Sequence, residues 1–264
     1  MNRGFSLVEL SIVLVILGLL TGGILTGQSL IRAAELRSLT AHISTLQTSM
    51  HSFRDKYFAL PGDMRNATDF WGAANSSGAG GNCADPLDNT GTSTQTCNGD
   101  GNGQIRTPGS GGTYYEQHRA WQHLANAGLI EGSYTGAAAV ANNSNSFARG
   151  VNAPQLKLGN VTGVLHYGQA ISGSTNEFDR SAAHYIGYGT TSGGWPNGPF
   201  LTPEEAWNLD TKVDDGRPAY GVIRGHKKDS PTNPNCSTTN SSTDAEYNLS
   251  NTNTLCSLNV EVWK

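Results

Sequence analysis

The chain has 264 residues, with 21 Asp and Glu against 17 Lys and Arg and a formal net charge of −4, so it offers nucleic acid no general electrostatic attraction. Its one basic cluster, RGHKK at 224–228, is short and suits a solvated loop. Only 36% of residues are hydrophobic and 33 are Gly, which argues against a helical bundle and for a loop-rich, β-containing protein long enough to bury a core.

The first element is the most informative. RGFSLVELSIVLVILGLL places Glu9 at the mouth of an apolar run, and residues 10–31 form a charge-free stretch of 22. As a helix that stretch is about 33 Å long, enough to span a bilayer core. A cleaved secretory signal would have a shorter apolar core and an A-x-A-like site, neither of which is present. Past the run, Leu36, Leu39, Ile43, Leu46, Met50, Phe53 and Tyr57 recur at spacings of three and four, predicting an amphipathic continuation of the same helix. No Pro intervenes before LPGD, so the sequence predicts one helix of more than fifty residues, half in lipid and half covering a sheet.

Asp63 is expected to cap a short helix running to Trp71 and stopped by Gly72. A glycine-rich excursion over 73–112 follows. Residues 115–130, with Trp121, Leu124, Ala125 and Leu129 on one face, predict a second amphipathic helix. Apolar or period-two runs at 161–167, 183–188, 219–223 and 258–263 predict an antiparallel sheet. Between them TPEEAWNLDTK gives Thr202 as cap, Pro203 at the first helical position and Glu in the first turn. The expected fold is therefore α+β, a long N-terminal helix packed on an antiparallel sheet with long stapled loops.

The four cysteines fall as Cys83/Cys97 and Cys236/Cys256, in polar loops without CxxC spacing. Zinc, redox and haem sites are poorly matched, and two disulfides in an oxidising compartment account for them better. Three connectivities are possible; Cys83–Cys97 with Cys236–Cys256 closes the shortest loops. Such bridges place the C-terminal bulk outside the cytoplasm.

These N-terminal residues resemble the signal of type IV prepilins and type II secretion pseudopilins. The family pattern is a short basic leader ending in Gly, then Phe, with Glu as the fifth mature residue; Arg3, Gly4, Phe5 and Glu9 match it. The resemblance implies cleavage between Gly4 and Phe5 by a membrane prepilin peptidase and N-methylation of Phe5. It also implies pairing of Glu9 with the Phe5 amine of a neighbouring subunit in a helical filament. It divides the chain into a leader at 1–4, the transmembrane half of the helix at 5–31 and a periplasmic or extracellular head at 32–264. The protein would sit in the bacterial inner membrane as a single-pass protein with a periplasmic head, then enter a pilus or pseudopilus. ALPGDMRNATDFWG, NGDGNGQI, WQHLANAGLIEGSY and DTKVDDGRPAYG also resemble segments of prepilin-like proteins. The rival expectation is a membrane-anchored calcium-binding or adhesive module that never polymerises, which would not require Glu9.

One loop carries cation chemistry. In CNGDGNGQI, Asn98, Asp100 and Asn102 alternate and Gln104 follows Gly103, matching the first half of a calcium loop. Position twelve would be Gly109 rather than Glu, so Glu116 is the candidate for the missing carboxylate. The competing account is that Asn-Gly and Asp-Gly simply make turns. Asp210, Asp214 and Asp215 form a second, weaker candidate calcium group, by resemblance to pseudopilins that bind calcium in their C-terminal regions; the competing account is a charged helix end and turn before Gly216. No G-x-S-x-G, H-E-x-x-H or P-loop occurs, so an enzyme is not expected.

Overall fold

The structure is a computed structural model that describes residues 6–74, 94–106, 116–138, 146–168, 174–190 and 194–263. Helix α1 (Leu7–Tyr57) runs unbroken for 51 residues, about 77 Å at the standard rise. Its two halves differ as the sequence pattern requires. The side chains of 7–31 are almost wholly exposed, a surface that no polar solvent favours, and the helix is long and apolar enough to cross a membrane. From Leu39 onward the stripe Leu39, Ile43, Leu46, Met50 and Phe53 is buried against the head.

The head is built on a four-stranded antiparallel sheet of β1 (Val161–Gly168), β2 (Ala183–Thr190), β3 (Ile223–Arg224) and β4 (Leu258–Trp263), in the order β1-β2-β4-β3. Its core side chains include Val164, Ile186, Tyr188, Ile223, Leu258 and Val260, which join the α1 stripe in one cluster. The order places the last strand between the second and third, so the chain's end is locked into the middle of the sheet. The expected strand at 219–223 is reduced to Ile223–Arg224, because the turn at Gly221, with φ of 74°, brings the chain alongside β4 only from Val222, whose carbonyl accepts the Glu261 amide.

Helix α4 (Pro203–Val213) starts as its sequence dictates: Thr202 accepts the Glu205 amide and Glu205 accepts the Thr202 amide, with Pro at the first helical position. The Cys236–Cys256 disulfide is formed, with both cysteines buried. The bridge ties the loop after β3 to the approach to β4, and backbone bonds between Cys256 and Leu201 in both directions add the approach to α4 to the same point. Cys97 is also in a disulfide, but the Cys83–Cys97 pairing falls outside the described residues because Cys83 does.

Two expectations need correction. The short helix α2 is Ala67–Trp71, preceded by Asn66, and Asp63 does not cap it; its carboxylate is turned instead toward the 98–106 loop. Helix α3 (Glu116–Asn126) exists, but it is not one-sided: every residue from Glu116 to Leu124 is buried. Its polar face is covered by loops from distant parts of the chain. His123 shows how: its Nδ1 accepts the Gly62 amide at 2.9 Å, and its Nε2 lies 3.0 Å from the Thr96 hydroxyl. Burial lowers this imidazole to about 3, so it stays neutral and acts as a strut.

Candidate functional site

Three sites carry the sequence-predicted chemistry, one at each end of α1 and one after α4. At the start of the helix, Arg3, Gly4 and Phe5 lie outside the described residues. Glu9 is described, at the third helical position rather than one turn after a helix beginning at Phe5, because the helix begins at Leu7 with Ser6 as its cap. The Ser6 hydroxyl accepts the Val8 amide at 3.3 Å, and Glu9 Oε2 accepts the Ser6 amide at 2.9 Å. This reciprocal cap is written in the sequence as S-L-V-E and sequence reasoning passed over it. Glu9 therefore acts locally, with its charge at the positive end of the helix dipole and one orphan donor held by its carboxylate. The carboxylate keeps further lone pairs, so a second donor can join without displacing the first.

Near the far end of α1, the structure draws three carboxylates together. Ligand oxygens of Asp63, Asp100 and Glu116 all lie within 4.8 Å of one another. Asp63 comes from the LPGD turn after α1, Asp100 from the 98–106 loop and Glu116 from the first turn of α3. The loop is wound around them by amides: Asn102 and Gly103 donate to Asp63 at 3.0 and 2.9 Å, and Asp100 and Arg106 donate to Glu116 at 3.0 and 2.8 Å. Gly62 permits the approach, since its φ is 87° and a Cβ there would strike the Glu116 carbonyl. Burial pushes Glu116 up to about 8, and burial with the neighbouring Asp100 charge pushes Asp63 up to about 6.

The other members of the sequence pattern are spent differently. Asn98 Oδ1 accepts the Thr68 amide in the first turn of α2, Asn102 Oδ1 accepts the Gln104 amide and Gln104 Oε1 accepts from Arg106. The Asn/Asp alternation thus makes successive turns around the site, and Asp63, taken from the sequence as a helix cap, faces it. A lone Asp in a Pro-Gly-Asp turn carries no signal for this. The donor set is all oxygen, with three carboxylates that each accept amides yet retain free lone pairs, which suits a hard cation.

The second acidic group is also assembled, with oxygens of Asp210, Asp214 and Asp215 within 4.8 Å. Each is committed to the turn after α4: Asp210 accepts from Gly216 and the buried Tyr247 hydroxyl, Asp214 from Val222 and Ile223, and Asp215 from Arg217. Burial raises Asp210 to about 7.

Comparison with curated proteins and with solved structures gave no significant match. The family profile described as the prokaryotic N-terminal methylation motif matches residues 1–25. Those residues contain the Arg3-Gly4-Phe5 junction, Glu9 and the exposed apolar start of α1, so the chain carries the N-terminal signature of type IV prepilins and pseudopilins.

Proposed function

We propose that this protein is a structural subunit of a type IV pilus or type II secretion pseudopilus. A prepilin peptidase cuts it between Gly4 and Phe5 and N-methylates Phe5, and the α1 helix then assembles with other subunits while the 32–264 head faces the periplasm or the exterior. One observation carries this reading: the methylation motif heads a 51-residue helix whose apolar half is bare and whose other half is buried in the head. Bilayer lipid can cover the bare half in a single subunit. In a filament, neighbouring helices take the place of lipid. The functional class is structural, and no catalytic role is assigned to any residue.

Processing is tested by co-expression with a prepilin peptidase and intact-mass analysis. The product should begin at N-methylated Phe5, and Gly4→Val should prevent its formation by filling the space that lets a protease reach the backbone. Retention of the initiator Met in the wild-type protein sinks the proposal. Mature protein that stays in the membrane and never enters sheared filaments would favour the non-polymerising anchor instead.

A calcium ion at Asp63, Asp100 and Glu116 is the second part of the proposal, favoured by their convergence from three separate elements. An ion that binds only the folded state stabilises it by mass action, by about 2.7 kcal/mol at a hundredfold excess over Kd. Millimolar calcium should therefore raise the melting temperature of the full chain in detergent, and Asp100→Asn should abolish that rise. An unchanged wild-type melting curve would leave the loop as turns alone.

A further inference from the structure

The end of α1 farthest from its apolar half opens on a pocket of about 400 Å³, walled by Arg54, Tyr57, Phe58, Asp63, Arg65 and Trp263 among others. Phe58 is its least expected member. The residue ends α1 in the left-handed region, with φ 52°, and its side chain is 91% exposed. Bulky residues rarely adopt that conformation. The capping bond it makes, from its backbone N–H to the Arg54 carbonyl at 2.8 Å, is one that glycine makes with less strain. Folding therefore explains the conformation at this position but not the aromatic ring.

The charges of the pocket are as unusual as its ring. The Arg54 guanidinium lies 4.3 Å over the Trp263 ring. Arg65 lies along Gly101 and donates its Nε to the Asp100 carbonyl at 2.6 Å. Among the described residues neither arginine has a carboxylate partner. Asp63 is the one acidic side chain in the wall, and each of its oxygens already accepts an amide, from Asn102 or Gly103. Two cations thus line the pocket beside three aromatic residues; Trp263 already packs on His51 and Arg54, and Tyr57 on Phe53, Phe70 and Trp71, so Phe58 offers the open ring.

We propose that this pocket binds an acidic monosaccharide unit, a pyranose bearing one carboxylate, with the carboxylate on Arg54 and Arg65 and the C–H face of the ring on Phe58. Guanidinium forks match carboxylates in geometry, and aromatic faces accept the apolar face of a sugar ring. The Asn66 side chain, which also lines the pocket, serves the hydroxyl groups. A nucleotide fits less well, because the Asn102 and Gly103 amides that could cradle a phosphate are taken by Asp63. The site is independent of whether the chain enters a filament.

The test uses the full chain in detergent micelles and saturation-transfer NMR with galacturonate and galactose, which differ by the carboxylate alone. Galacturonate should bind saturably and at least tenfold more tightly than galactose. The double substitution Arg54→Gln with Arg65→Gln should bring galacturonate down to the galactose level. Phe58→Gly should weaken galacturonate at least fivefold while leaving the melting temperature unchanged or higher, an outcome no purely structural role of the ring produces. The proposal is overturned by absent galacturonate binding, by equal binding of the two sugars, or by unchanged affinity in Phe58→Gly. Full displacement of galacturonate by an equal concentration of sodium sulfate would also overturn it, since the pocket would then hold any anion.

Discussion

Glu116 shows how much one side chain depends on its surroundings. At the first turn of α3 its charge has a favourable helix dipole and two backbone donors, yet burial outweighs both and holds its proton up to about 8. Asp210 behaves alike at about 7. A carboxyl raised in the folded state binds protons more tightly there than in the unfolded chain, so stability falls as pH rises from the unfolded value toward the folded one. Below about pH 6.5 the neutral buried imidazoles His123, His166 and His184, lowered to about 3, 4 and 4 by burial, act with the opposite sign. An unfolded imidazole is still half protonated at about pH 6.5, so that effect fades only near pH 7.5; between about pH 7.5 and 8.5 the carboxyls dominate. In calcium-free buffer the melting temperature should therefore decline across that range, and Glu116→Gln should make the decline shallower. A flat wild-type profile would show that Glu116 is ionised throughout. Little of this was legible beforehand: the sequence named Glu116, but its burial depends on residues 62–63 and 98–106 folding over α3.

Among elements, the joint between α1 and α4 has the clearest physical basis. Arg32, just beyond the apolar run, makes a forked pair with Glu205 through Nε and Nη2 at 2.6 and 2.7 Å, and Nη2 also reaches the Phe200 carbonyl at 2.9 Å. Glu205 is at the same time the residue that closes the capping box of α4 by accepting the Thr202 amide. One carboxylate therefore starts a helix and moors it to α1 where that helix leaves its exposed segment. The pair is partly exposed, with side-chain accessibilities of 35% and 20%, so its contribution is modest, about 1 kcal/mol. Arg32→Ala should lower the melting temperature by a few degrees, and Arg32→Lys should restore less than half of the loss, since an ammonium cannot form the fork. Equal stability of all three proteins would mean that apolar packing alone fixes the joint. The start of α4 was readable because its capping signals are local. Its mooring to Arg32 was not, because the partner lies 173 residues away. Helix α3 repeats the lesson: its existence followed from periodicity, but it stops at Asn126 short of the expected 130, ahead of the turn at Gly128 with φ 72°, and its all-round burial comes from loops that its own pattern cannot reveal.

At the scale of the whole molecule, the proposed filament role requires a bare apolar helix with a charge at its head to leave a membrane. A cleaved chain has a new amine at Phe5, and an unpaired charge buried among packed helices costs several kcal/mol. Glu9 offers an opposite charge, and its bond to the Ser6 amide is unaffected by cleavage after Gly4, because Ser6 keeps its peptide N–H. The carboxylate is thus held in place before a neighbour arrives. Glu9→Ala should still insert and be cut, since neither step uses the carboxylate, yet enter sheared filaments at a small fraction of the wild-type amount when it is the sole copy. Normal incorporation would reduce Glu9 to a helix cap at the membrane boundary. The sequence by itself determined the long helix, its division into an exposed and a buried half, the antiparallel sheet and the N-terminal motif, because each is encoded in neighbours a few residues apart. Only the tertiary structure decided that Asp63 joins Asp100 and Glu116, that Glu205 holds Arg32 and that Phe58 stands exposed over a pocket. Those arrangements arise where distant segments meet, and residue spacing along a chain carries no record of which segments will do so.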